Sequence, residues 1–404
     1  MKNKAAIAVV GTFDTKAQEH VFLKTRIEKS GVTALTIHVG TKTESPVPVD
    51  LDLYDWIRRE NSSVLDSRDK AIAAMILEAG DRIKNLYRSG DIFGIISAGG
   101  GTGTHIGTSI MHALPLGVPK VMISTVASRN MAKVVGTKDI TMIHSVADLL
   151  GVNSISGRIL DQAAAAICGM VQSRWEPEVK KKRIALPFFG FITQGAEATR
   201  IALEKLGYEV VAFHANGTGG MAMEELAREG YFDGILDFAT HELADDLKDG
   251  YCGGIGLERF GPIPNRSIPR LIVPGGLDCA VLEFTRHNIP DQYRDRKIFF
   301  YDFRSAIRLD VEETKKLAAQ LAERINPDPA NVKILVPTNG WSEADRQGGP
   351  LYDPDMNKLF TQRLKQLLNS QIKIQEVDHH INDAEFGMIA ADVMHEMVRG
   401  KQKG

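Results

Sequence analysis

Cysteine is scarce in this chain of 404 residues: Cys168, Cys252 and Cys279 lie far apart and form no C-x-x-C pair. So sparse and odd a set does not suggest a disulfide framework and suits a reducing compartment. Long apolar runs are also missing. No stretch approaches the roughly 18 residues a membrane-spanning helix needs. The short N-terminal run, residues 5–10, is ended by Gly11, Thr12 and Asp14 too early for a secretory signal. Nor does one sign of charge dominate: 49 Lys and Arg face 51 Asp and Glu, a net charge of -2. That balance lacks the basic excess of a non-specific nucleic-acid binder. A small anion remains open, because it needs only local donors. The expectation is a soluble cytoplasmic protein with no nucleic-acid and no membrane partner.

Hydrophobic residues make up 43% of the chain, enough for sizeable cores. The length favours two domains. Short apolar runs alternate with longer helical patterns, which predicts parallel sheets with helices on both faces. In the first half, strands are expected at residues 5–10, 33–39, 92–98 and 121–126. Helices are expected at 16–30, 69–88 and 104–113, with residues 51–67 read as a long loop with short helices. The charged segment QSRWEPEVKKKR, residues 172–183, reads as a linker. Beyond it the alternation restarts, with strands at 184–189, 209–214, 234–238, 270–273, 298–301, 333–336 and 372–377. Helices are expected there at 196–206, 221–228, 311–324, 356–368 and 383–399. The fold class is therefore α/β, two Rossmann-like domains with mainly parallel sheets, spanning residues 1–175 and 184–404. Each half opens on an apolar strand and a glycine-containing turn, which fits either a duplication or two similar units.

Ligands of open α/β sheets gather at the carboxyl ends of the strands. The strongest signal there is GGGTGT: Gly99, Gly100, Gly101, Thr102, Gly103 and Thr104 follow a buried strand and lead into a helix. Glycine lets backbone N–H groups turn toward a ligand, and a helix N-terminus favours an anion. The alternative is a tight turn with no ligand. GTFDTK adds Thr12, Asp14 and Lys16; Lys16 could supply a point charge, and Asp14 could orient a ribose hydroxyl or cap the helix. HANGTGG, with His214, Gly217 and Gly219, fits a second anion nest or a plain turn. The dinucleotide fingerprint fails, because Thr104 or Ile106 stands where its third glycine belongs. The Walker pattern fails as well, since Ala196 and Glu197 follow residues 190–195. His379 and His380 sit beside Asp378 and Asp383; adjacent histidines rarely chelate one ion, so no metal site is expected. His214, Asp278, His379 and His380 are candidate acid/base groups for a second reading, an enzyme acting on a small carboxylate or sugar-acid phosphate.

GTFDTK, SAGGGTGT, LPLGVPKVMISTVAS, VGTKDITMIHSVADLLGVNSIS, FHANGTGGMAMEELAREG, LDFATHELADDL and VDHHINDAEF occur in this order. Together they resemble the UPF0261 family, also called Tm-1-like ATP-binding proteins, along nearly the whole chain. A plant relative in that family inhibits tobamovirus RNA replication, which also raises the reading of a pure interaction module. The resemblance implies a homodimer that binds ATP, with or without magnesium, mainly through its N-terminal domain. The implied nucleotide loops are Thr12, Asp14 and Lys16, then the run from Gly99 to Thr104. Ser124, Thr125 and Ser128 follow in STVAS, and Gly136, Thr137 and Asp139 in GTKD. The chain departs from the family pattern at Gly101 and Thr102, where serine and glycine are usual, and at Arg129, where a glycine is usual.

Overall fold

The structure, a computed structural model, describes residues 5–60, 62–173 and 175–400. Residues 1–4, ahead of the N-terminal run, and Arg174 of the expected linker lie outside the described residues. The chain divides into two compact units, Met1–Glu176 and Pro177–Gly404.

The first unit runs β1 Ala6–Gly11, α1 Phe13–Lys29, β2 Ala34–His38, β3 Leu51–Asp52, α2 Leu53–Glu60 and α3 Arg68–Ser89. It continues β4 Ile92–Gly99, α4 Gly101–Met111, β5 Lys120–Ser124, α5 Ala132–Val135, β6 Thr141–His144 and α6 Ser156–Gln172. Its six strands are parallel and ordered β3-β2-β1-β4-β5-β6. All six residues of β1 are buried, the mark of a strand covered on both faces. Period-two alternation then sorts them. Ala8 and Val10 join Met75, Ile83 and Ile110 under α3 and α4, whereas Ile7 and Val9 join Leu23, Ile27 and Ile167 under α1 and α6.

The strand order reverses between β1 and β4. A ligand crevice opens at such a point, beyond the carboxyl ends of the two diverging strands. One buried imidazole fastens this region. His20 of α1 bonds the Lys16 carbonyl through Nδ1 at 2.8 Å and accepts the Ala98 N–H of β4 through Nε2 at 3.3 Å. Burial pushes its pKa down, which keeps the ring neutral. The ring sits against Gly11, where a Cβ would come within 2.0 Å of Nε2.

The second unit runs β7 Arg183–Phe188, α7 Thr193–Lys205, β8 Glu209–His214, α8 Thr218–Glu229, β9 Gly234–Asp237, α9 Glu242–Leu247 and β10 Arg270–Ile272. Then come β11 Cys279–Leu282, β12 Ile298–Phe300, β13 Ser305–Arg308, α10 Val311–Ile325, β14 Val332–Pro337, α11 Pro354–Leu367, β15 Lys373–Val377 and α12 Ala384–Gly400. Its parallel sheet is ordered β15-β14-β10-β9-β7-β8, and a separate antiparallel sheet is ordered β11-β13-β12. The strand expected at 298–301 belongs to that antiparallel sheet and not to the parallel one. Residues 51–67 hold β3, α2 and a short 3-10 turn, and β6 and α6 were not anticipated.

A fully buried ion cluster joins four elements of this unit. Arg259 reaches Asp237 at 2.6 Å, Glu242 at 2.8 Å and Glu224 at 3.1 Å. Arg270 reaches Glu224 and Asp237, each at 2.7 Å. Removing one member leaves buried charge without compensation. Arg259→Ala is expected to destabilise the second unit by about 3–5 kcal/mol in urea denaturation. A loss under about 1 kcal/mol would show that the cluster contributes little.

Candidate functional site

Two loops meet where the first sheet reverses order. β4 ends at Gly99, and α4 begins two residues later, with Gly100 as its N-cap in extended backbone (φ -76°, ψ -163°). The first helical return bond is Thr104 N–H to the Gly100 carbonyl, 2.8 Å. Among the described residues, none accepts the N–H groups of Gly101, Thr102 or Gly103. These are the orphan donors of a helix start, with the positive end of the helix dipole behind them.

Two kinds of glycine stand in this run. At Gly99 a Cβ would come within 2.8 Å of the Gly103 Cα, so the strand-to-helix turn itself requires glycine. At Gly100 the nearest atom to a Cβ would be Thr125 Oγ1, 3.8 Å away, and at Gly101 nothing lies within 4 Å. Packing does not demand those two glycines; they leave free space in front of the orphan donors. That space is a cleft of about 230 Å³ bordered by Thr12, Asp14 and Lys16 on one side and by residues 100–103 on the other. Arg68, from the start of α3, donates to Thr102 Oγ1 at 3.1 Å and brings its guanidinium beside the α4 terminus. Lys42, after β2, also lines the cleft. Lys16 lines it too, with its ammonium bound to the Leu149 carbonyl. Asp14 does not cap α1: its Oδ2 accepts the Lys42 N–H at 3.2 Å, and its Oδ1 is buried without a partner. The N-terminal N–H of α1, at Phe13, instead goes to His38 Nδ1 at 3.0 Å.

Other expected residues lie elsewhere. Thr104 and Ser124 form a buried hydroxyl pair at 2.6 Å beneath the loop. Thr125 donates its N–H to the Gly99 carbonyl at 3.1 Å and supports the turn, and Ser128 is exposed further along STVAS. Gly136, Thr137 and Asp139 precede β6, so they stand at the amino edge of the sheet, opposite the cleft. Asp139 holds the buried Lys120 ammonium there at 2.7 Å. The β6 strand is four residues long, too short to show in the sequence where the sheet edge falls.

In the second unit the glycines of HANGTGG serve packing. Gly217 (φ +83°) donates its N–H to Glu242 Oε1 at 2.7 Å, so the nest is filled by the protein's own carboxylate. A Cβ on Gly219 would come within 2.0 Å of the His214 carbonyl. The four acid/base candidates do not converge. His214 ends one edge strand, β8, and His379 and His380 follow the other, β15, five strand spacings of about 4.8 Å away, or about 24 Å. Asp278 and His380 share Ser342, which donates its hydroxyl to Asp278 at 2.9 Å and whose carbonyl meets His380 Nε2 at 3.0 Å. His379 lies 3.6 Å from Asp383. Among the described residues no group of three or more His, Cys, Asp or Glu is placed to hold a metal ion. No described helix is long and apolar enough to cross a membrane.

Residues 5–176 match the model of the UPF0261 N-terminal domain, and residues 181–398 match that of its C-terminal domain, both described as an uncharacterised protein family. The chain belongs to the UPF0261 family. A UPF0261 protein of Clostridium tetani is 35% identical over 401 residues, 97% of this chain and 98% of its own length. The tomato ToMV resistance protein Tm-1(GCR237) is 33% identical across 98% of this chain, which spans only 56% of that relative. Among solved structures, a UDP-N-acetylglucosamine 2-epimerase aligns over 99% of this chain and 98% of its own at 11% identity and a TM-score of 0.24, too slight a likeness to carry an argument.

Sequence reading of this UPF0261 chain passed over Arg68 and Lys42, which come to the cleft from separate segments, and His241. His241, 1% exposed, stacks on Phe189 with ring centroids 3.7 Å apart, and burial pulls its pKa down to about 3. Its one signal was position, just past the end of β9. Burial pushes the Asp278 carboxyl the other way, up to about 7. The folded unit therefore keeps a proton on Asp278 between about pH 4 and pH 7 that the unfolded chain has released, and this contribution to stability falls as pH rises through that window. His241 acts in the opposite sense below its unfolded pKa, so the variant isolates the carboxyl. Asp278→Asn should make the urea midpoint fall less, or rise more, between pH 5 and pH 7.5 than it does in the parent. Identical pH profiles would contradict this.

Proposed function

We propose that this UPF0261 chain binds a phosphorylated small molecule, ATP in the first instance, in the cleft at the carboxyl ends of β1 and β4. The observation that carries the reading is the set of unclaimed N–H groups at Gly101, Thr102 and Gly103, opening onto space that a Cβ at Gly100 or Gly101 would fill. The donor set suits phosphate: backbone N–H groups at a helix start, the Arg68 and Lys42 cations, and the Thr12 and Thr15 hydroxyls. Asp14 is the one carboxylate among the lining residues, and it would take a magnesium ion accompanying the phosphates. The lining supplies charge and donors, with no Walker lysine, which favours a binding protein over a P-loop ATPase. The spread of His214, Asp278, His379 and His380 weighs against the reading as an enzyme built on those four. The homodimer implied by the family resemblance and the cytoplasmic location expected from the sequence belong to the same proposal.

Calorimetric titration with ATP, with and without magnesium, tests the reading. Binding is expected, and its absence at millimolar ATP would sink the proposal. Gly100→Val should lower the affinity at least about tenfold, about 1.4 kcal/mol. The melting temperature should stay near the parent's, because the new side chain enters open space. Undiminished affinity in that variant would show that the glycine run is only a turn.

A further inference from the structure

The lining of the cleft narrows the ligand's chemistry, a step that rests on the phosphate reading above. Of its twelve lining residues, Ile106 alone is apolar and none is aromatic. Ile106 is itself 1% exposed, so it offers almost no wall. A nucleobase is ordinarily held by an apolar or aromatic face. The volume points the same way: about 230 Å³ falls below the roughly 300–1,000 Å³ of pockets that enclose a whole organic ligand.

The ribose side is equally bare. Dinucleotide folds hold the ribose hydroxyls with a carboxylate near the end of the second strand. Here β2 ends in His38, whose Nδ1 is occupied by the Phe13 N–H. Gly40 follows, packed so closely on Asp14 that a Cβ would come within 2.4 Å of its carboxyl carbon. Lys42 comes next. The nearby carboxylates Asp50 and Asp52 are taken by Thr36 and by the Ser45 and Tyr54 N–H groups. The end of β2 thus presents a cation and no carboxylate of its own, and the one carboxylate on the cleft, Asp14, is left to a magnesium ion on the phosphates.

We infer that the cleft recognises an oligophosphate chain and is indifferent to the nucleoside attached to it. The Arg68 and Lys42 cations and three free N–H groups are available to the phosphates, and base and sugar extend out of the cleft without contacts that discriminate among them.

Parallel titrations of the full chain with ATP, GTP and inorganic tripolyphosphate test this. ATP and GTP should bind within about threefold of one another, and tripolyphosphate at least as tightly as ATP. Stacking or pocketing of a base typically adds roughly tenfold or more. A preference of tenfold or more for ATP over both GTP and tripolyphosphate would overturn the inference while leaving the phosphate reading intact. Failure of all three to bind would overturn both. Arg68→Gln, at an exposed helix start, should weaken all three ligands by the same factor, and loss confined to the nucleotides would overturn the inference.

Discussion

A helix that starts two residues after a buried central strand cannot satisfy its own first N–H groups, and the first unit is arranged around that constraint. Gly99 lets α4 fold back directly on β4, since a side chain there would collide with Gly103. The orphan donors of Gly101, Thr102 and Gly103 are thereby held at the point where the strand order reverses. The sheet is buried on both faces by α1 and α6 on one side and α3 and α4 on the other. His20 binds α1 to β4, and His38 binds the start of α1 to the end of β2. Two imidazoles thus fix the loops that border the cleft without occupying it.

The second unit shows what happens when the same constraint is met from within. Its sheet also reverses order, between β7 and β9. Its glycine loop carries a positive φ and inward N–H groups much like an anion nest. The anion is already present: Glu242 takes the Gly217 N–H and pairs with Arg259 in a cluster shut off from water. The buried charges of this cluster tie α8, α9, β9 and β10 together. Two glycine-rich loops of similar composition therefore have opposite fates, one open to a ligand and one closed by a side chain 25 residues away in sequence.

That contrast explains what could be read from the sequence and what could not. The central strands were legible because burial on both faces produces unbroken apolar runs, as at Ile92–Gly99 and Arg183–Phe188. Helix α6 was missed because its buried face is partly alanine, at Ala163 and Ala164, which gives little hydrophobic contrast. The strands β6, β11 and β13 are four residues each, too short to leave a pattern, and missing β6 misplaced Asp139 on the ligand edge. At the cleft, Thr12, Asp14, Lys16 and the glycine run were legible as strand-end loops. Arg68 and Lys42 were not, because only the folded sheet brings the start of α3 and the end of β2 to the same opening. Whether a glycine is required by packing or leaves room for a ligand is likewise a property of neighbours distant in sequence.

The central claim is that the N–H groups of Gly101, Thr102 and Gly103 are a phosphate site. A crystal of the full chain soaked in ATP tests it most directly. The account predicts phosphate oxygens within hydrogen-bonding distance, about 2.7–3.2 Å, of those three nitrogens, with Arg68 turned toward them. Phosphate density on another surface, with water alone before the α4 terminus, would contradict it.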